Sequence, residues 1–146
     1  MIKKLRDIFV NLKNQLGQVI IDTFKATEKD ALDYNKYQLN ELGMKSDNSL
    51  MDEYSPVTVE IKRKKGTFIS SHGRIALQDY GNFQDGMHFK TITQEYAEIS
   101  STDSKAVDLE DRYGSEIYGL MPEHVKEYAA NEYKQSFLQK FKTFFK

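Results

Sequence analysis

The residue types best suited to chemistry stand at Glu60-Ile61-Lys62, an acid and an ammonium two positions apart. On a strand, that spacing puts both on one face. Many metal-dependent nucleases hold magnesium with an Asp and such a Glu-x-Lys pair on adjacent strands, and Asp52 is the upstream acid available. Asp52 follows no strand-like pattern, however, and alternating Glu and Lys is also what the wet face of a half-buried strand carries. A small magnesium-dependent nuclease using Asp52, Glu60 and Lys62 therefore stands as an alternative, not as the expectation. Ser70 and Ser71 precede His72 without the G-x-S-x-G elbow that exposes a serine nucleophile, and His72 in its polar loop reads as solvent-exposed. His72, His88 and His124 stand in different segments with no H-x-x-x-H spacing, so no metal site is expected. Gly73-Arg74 and Gly81 to Gly86 lack the Gly-Lys-Ser/Thr ending and the helix start that would cradle phosphate. The chain has no Cys, which removes disulfides, thiolate nucleophiles and Cys-based zinc. The expectation is a protein with no catalytic residues, no cofactor and no metal.

The basic cluster Lys62, Arg63, Lys64 and Lys65 could meet nucleic-acid phosphates or an acidic neighbour. Without interleaved aromatics it does not point to sequence-specific recognition. Net charge is only -1, but the charge is laid out in blocks: +3 over residues 1–25, -4 over 28–53, +4 over 60–74, -6 over 78–116, -2 over 117–133 and +4 over 134–146. Such blocks are either solvated faces or, in a subunit repeated around an axis, a basic face set against a neighbour's acidic one.

At 146 residues one domain is expected, a size that buries roughly two thirds of its unfolded surface. Hydrophobic residues make up 39% and charged residues 29%, with nine Phe and nine Tyr, so the chain has material for a core. The start of the chain is interrupted by Lys3, Lys4, Arg6, Asp7 and Lys13 and has no apolar run of signal-peptide or membrane-span length. A soluble protein of a reducing cytoplasm, without a membrane partner, is expected.

Apolar residues at Ile2, Leu5, Ile8, Phe9, Leu12, Leu16, Val19, Ile20 and Phe24 fall at steps of three and four, which predicts an amphipathic helix with one stripe toward a core. Gly17 is a weak point in it, costing about 1 kcal/mol against Ala. A second stretch with Ala31, Leu32, Tyr34, Tyr37 and Leu39 apolar runs from Thr27, an N-cap candidate, to Leu42, and Gly43 closes it; one helix or two remains open. Residues 1–42 thus read as a helical arm. Lys45 to Pro56 reads as a loop, and Val57, Val59 and Ile61 alternate with polar residues as in a strand. Residues 67–87 read as a long glycine-containing loop, with room for a short strand at 75–77. Met87–Thr93 and Tyr96–Ser100 form an antiparallel hairpin, so that 57–101 would be a small sheet with its loop. Asp103 or Ser104 caps a short helix through Arg112, with Gly114 as its αL stop. Pro122 opens the last helix, striped by Val125, Ala129, Tyr133, Phe137, Phe141 and Phe145 and widened by Leu138 and Phe144. Residues 104–146 are its C-terminal helices, and the whole is an α+β domain. The aromatic tail either docks on the N-terminal helix or serves as a partner's ligand.

Five segments carry a family resemblance: Tyr34-Asn35-Lys36-Tyr37-Gln38-Leu39, Glu53-Tyr54-Ser55-Pro56-Val57-Thr58, Lys64-Lys65-Gly66, the stretch Gly73-Arg74 through Gly81-Asn82-Phe83, and Arg112-Tyr113-Gly114-Ser115-Glu116-Ile117-Tyr118-Gly119-Leu120. Their order over about 90 of 146 residues resembles short structural proteins of phages and prophages of Bacteroidetes hosts, crAss-like phages among them. Tyr80 and Asn82 depart from the Thr and Asp usual in that family. The resemblance implies a neck, tail-completion or minor tail protein of the virion, assembled in the host bacterial cytoplasm as a homo-oligomeric ring. It implies neighbouring connector, portal or tail proteins as partners and non-specific contact with packaged DNA, with no catalytic residues. A loop of about 20 residues in a compact domain usually has a task, and here the expected task is docking, through Phe68, Arg74, Tyr80 and Phe83. Phe137, Phe141, Phe144 and Phe145 of the tail are the other interface candidates. Phe83 tucked into the core is the competing reading of that loop, and a cytoplasmic adaptor that binds a host protein through the aromatic tail is a further functional alternative.

Overall fold

A computed structural model describes residues 2–144 of the chain. Helix α1 (Ile2–Ala26) passes through a single turn at Thr27 into α2 (Glu28–Tyr37), and a π-helical turn, Gln38–Leu42, extends it to Gly43. The two helices are nearly one, because the Thr27 amide still donates to the Thr23 carbonyl at 3.1 Å. Thr27 stands at the N-cap position of α2, as expected, but its side chain makes no capping hydrogen bond. Its hydroxyl donates to the Thr23 carbonyl at 2.8 Å and meets the Tyr128 hydroxyl at 2.7 Å, which joins this turn to the C-terminal helices. Gly43 ends the run in the left-handed region at φ 62°.

The strand expected at Val57–Ile61 is a helix, α3 (Pro56–Lys65). Ser55 is its N-cap, its hydroxyl accepting from the Thr58 amide at 3.1 Å, and Pro56 holds the first position, where its missing N–H costs nothing. Val57 and Ile61 are 66% and 47% exposed, so the alternation that imitated a strand reports no buried face. The chain continues through an irregular segment to the short α4 (Asn82–Asp85), then β1 (Met87–Ile92) and β2 (Ala97–Ser101). These pair antiparallel in register Met87↔Ser101 and Ile92↔Ala97, with a bulge between Phe89 and Thr91. No strand forms at 75–77. Helix α5 (Ala106–Tyr113) follows, with Lys105 rather than Asp103 or Ser104 at the cap position, although the Asp103 carboxylate accepts from the Lys105 amide at 2.9 Å. Gly114 stops it at φ 92°, ψ 159°, outside the αL well expected. Pro122 opens α6 (Pro122–Glu127) as predicted, and a π-helical turn, Tyr128–Tyr133, leads into α7 (Lys134–Phe144). The fold is α+β, a long N-terminal helix, a two-stranded antiparallel sheet and a C-terminal helix.

The core gathers Leu39, Met51, Leu77, Phe83, Met87, Ile99, Ala106 and Ile117, drawn from the π turn after α2, two loop positions, α4, the hairpin, α5 and the turn after it. Most of α1 lies outside it. Leu5, Ile8, Phe9, Leu12 and Leu16, expected to face a core, are 38–67% exposed, and from Lys4 onward full burial in α1 begins at Gly17 and Val19; the side chain of Ile2 lies outside the described residues. Gly17 is also a point of close approach: a Cβ there would stand 2.1 Å from the end of the exposed Gln94 side chain in the hairpin turn. The stripe predicted for the C-terminal helix is also interrupted. The π turn inserts one extra residue per turn and rotates the inward face, so that His124 and Tyr128 are buried while Val125 and Ala129 are exposed.

Candidate functional site

The long loop and its surroundings separate the expected contact residues into two kinds. Phe83 is 4% exposed and belongs to the core; it cannot anchor a partner in this state. Beside it, Gln84 exchanges two amide hydrogen bonds with Asn40, at 2.8 and 3.0 Å, and donates to the Ala76 carbonyl at 2.7 Å. Phe68 is half-buried. Arg74 donates to the Met51 carbonyl at 2.7 Å and stands 3.5 Å from Glu53, so its guanidinium ties the loop to the segment before α3. His72 is part of the same tie, not a solvated residue. Its Nδ1 accepts from the Arg74 amide at 3.1 Å, which leaves Nε2 as the donor to the Asn40 carbonyl at 2.9 Å. Tyr80 differs from all of these, at 72% exposed.

Lys62 was the first residue of the basic cluster, and its role is internal. The ammonium donates to the Phe68 and Gln78 carbonyls at 3.0 and 3.1 Å, pairs with the Asp79 carboxylate, and lies 5.5 Å from the centre of the Tyr54 ring. The residue is only 8% exposed, so no phosphate reaches it. Arg63, Lys64 and Lys65 remain exposed at the C-terminal end of α3, where the helix dipole favours cations. Lys64 pairs there with Glu60 at 2.9 Å. The nuclease alternative loses its frame with this: Glu60 and Lys62 sit on a helix, two residues apart on diverging faces, one engaged with Lys64 and the other with Asp79. Among the described residues no cluster of three or more His, Asp or Glu is placed to hold a metal ion.

Lys62, Asp79 and Tyr80 stand at a cleft of about 540 Å³ that also takes in Asp52, Asp103 and Arg112. Its walls come from the segment before α3, α3 itself, the loop with α4, the turn before α5 and the second half of α5. Tyr113, at the same cleft, has its phenol pushed up by burial.

The C-terminal aromatics form a ladder rather than a loose tail. Phe24 lies 4.9 Å from Tyr133, Tyr133 stacks on Phe137 at 6.3 Å, and Phe137 on Phe141 at 5.9 Å, while α7 packs along α1. Phe137 is half-buried; Phe141 and Phe144 are 37% and 46% exposed. Phe145 lies outside the described residues. The docking of Tyr133 and of α7 on the N-terminal helix weakens the adaptor alternative, which needs this helix as another protein's ligand.

A buried polar node escaped the sequence reading. Asn35 donates to the Ile117 carbonyl at 3.1 Å and accepts from the Gly119 amide at 2.9 Å. One turn on, Gln38 donates to the Gly119 carbonyl at 3.0 Å and accepts from the Met121 amide and His124 Nδ1, both at 2.8 Å. Asn35 and Gln38 are fully buried. Thus two of the five segments that carry the family resemblance, Asn35 to Leu39 and Ile117 to Leu120, bind each other, and a third, Ser55-Pro56-Val57-Thr58, is a helix cap. They are determinants of the fold. The signal that could have found the node is the polar series Thr23, Thr27, Asn35, Gln38, which with Ala31 steps by four and three along one inward face.

No protein-family model, no curated protein and no solved structure matches the chain. Among the described residues no helix is long and apolar enough to cross a membrane.

Proposed function

We propose that this chain is a structural subunit of a tailed-bacteriophage particle, a head-tail connector or tail-completion protein that works as one copy in a ring between the portal side and the tail. The observation that carries the reading is the apolar stripe of α1, Leu5, Ile8, Phe9, Leu12 and Leu16, which stays 38–67% exposed. A contiguous apolar face of this kind on one element marks an interaction surface. The segregation of charge into alternating blocks supports a subunit that meets copies of itself, and the ordered segments that resemble those of Bacteroidetes phage structural proteins favour the particle as the setting. In this reading Tyr80 and α1 face neighbours, and Arg63, Lys64 and Lys65 are the residues available to packaged DNA. The protein would assemble in the bacterial cytoplasm and end in the virion.

Light scattering of the pure protein at micromolar concentration, alone and with the product of the adjacent connector or portal gene, tests this. A ring-sized mass, or a stable complex with the neighbour, is the expected result. A chain that stays monomeric in both cases contradicts it.

A further inference from the structure

The first sixteen residues carry Lys3, Lys4, Arg6 and Lys13 against a single acid, Asp7. At 3.6 residues per turn, Leu5, Ile8, Phe9, Leu12 and Leu16 fall within an arc of about 100°, with Arg6 and Lys13 along one border and Lys4 along the other. Such a helix fits an apolar groove rimmed by carboxylates. The chain has one. Between α2 and the α6 to π-turn segment lies an open groove of about 560 Å³, where Asp30, Asp33, Glu127 and Glu132 surround the rings of Tyr34 and Tyr37. Among the described residues no Lys or Arg lines it; Asp33 meets Lys29 at 2.9 Å in an exposed i,i+4 pair, and the groove stays negative in sum.

We infer that the α1 arm of one copy lies in the α2–α6 groove of the next, its leucines and Phe9 on the tyrosine rings and its cations against the groove's carboxylates. The inference rests on the self-assembly reading above and names the surfaces through which it happens. Arm and groove are different patches, so each copy receives one neighbour and offers itself to another. A contact of that type closes into a ring or runs into a filament, and does not stop at a dimer. A basic amphipathic helix also suits an anionic lipid surface, but the matching negative groove on the same chain favours a second copy.

The test uses two charge-reversed full-length chains, K4E/R6E/K13E in the arm and D33K/E127K in the groove, all at exposed positions. In sedimentation velocity at tens of micromolar, each alone should self-associate at least about tenfold more weakly than the wild type, while an equimolar mixture should return to within a few-fold of it, because reversed arm meets reversed groove. The chain has no Cys, so Leu12→Cys in one preparation and Tyr37→Cys in another give a clean second readout. Oxidation of the mixture should yield a disulfide-linked dimer that neither preparation yields alone. Reversed variants that assemble as the wild type does, with no cross-link, overturn the arm-groove contact and leave self-assembly standing. A wild type that sediments as a monomer overturns both the arm-groove contact and self-assembly of the pure chain, and the connector reading falls with them where the chain also fails to bind the adjacent connector. Loss of binding to phosphatidylserine vesicles in the arm variant, with no recovery of assembly on mixing, assigns the arm to a lipid surface and likewise overturns it.

Discussion

Replacing Gln38 with Met keeps the length of a fully buried side chain and removes its three hydrogen bonds, to the Gly119 carbonyl, the Met121 amide and His124 Nδ1, without opening a large cavity. Met121 and His124 are themselves 8% exposed, so water does not readily replace the lost acceptor. At roughly 1 kcal/mol for each bond lost, and more where a buried donor is stranded, the loss of stability should be about 3 kcal/mol. Against a typical total of about 5–15 kcal/mol that is a large share, and at roughly 2–4 °C per kcal/mol for a chain of this size the midpoint should fall by about 6–12 °C. Urea unfolding followed by circular dichroism measures it, with Glu41→Ala, at an exposed position on the same π turn, expected within about 0.5 kcal/mol of wild type. A loss below about 1 kcal/mol with an unchanged m-value would refute the view that this node holds residues 117–121 against α2.

Gly43→Ala should destabilise by about 2–3 kcal/mol, since φ is +62° and the new Cβ would stand 2.7 Å from the His72 ring; Gly66→Ala, at φ +66° with nothing within 4 Å, should cost only about 1 kcal/mol. Equal losses in denaturant unfolding would show that the His72 contact does not matter. Lys62→Ala strands the Phe68 and Gln78 carbonyls, so amide exchange over residues 67–80 should accelerate, whereas Lys64→Ala should leave it unchanged. Burial pushes the Tyr128 phenol up from 10.0 to about 12. The unfolded chain then loses this proton first, so stability should fall as pH rises from about 10 to 12, and Tyr128→Phe should flatten that decline in a plot of Tm against pH; an unchanged slope counts against the assignment. Tyr80→Ala should leave stability within about 0.5 kcal/mol of wild type and weaken assembly, which separates an exposed anchor from a core residue.

What could be read in advance followed the strength of the local signal. Val19, Phe24 and their neighbours at steps of three and four marked α1, and Pro122 with Glu123 marked the start of α6, because caps and periodicity are written in adjacent residues. The hairpin at Met87–Ile92 and Ala97–Ser101 was legible from its β-branched and aromatic residues around a polar turn. Helix α3 was not, since Val57, Val59 and Ile61 alternate by chance on an element with little buried surface, and the extended Ser55 that Pro56 enforces reads equally as a loop end or as the cap that begins a helix. The same alternation puts Glu60 and Lys62 on one face only in a strand, and on helix α3 they diverge. Lys62 looked like one of four surface cations, and only the return of the chain at Gln78 and Asp79, 16 and 17 residues on, makes it a buried clasp. Asn35 and Gln38 find partners more than 80 residues away, which no local pattern encodes. The exposure of Leu5 to Leu16 was invisible for the opposite reason: an apolar stripe looks the same whether its cover is the chain's own core or a neighbour.

Native mass spectrometry of the pure wild-type chain, from low to tens of micromolar, tests the ring proposal most directly. A closed ring predicts one dominant species at a fixed integer multiple of 17.0 kDa that gives way to monomer on dilution or at high salt. A 17.0 kDa monomer at every concentration would contradict it.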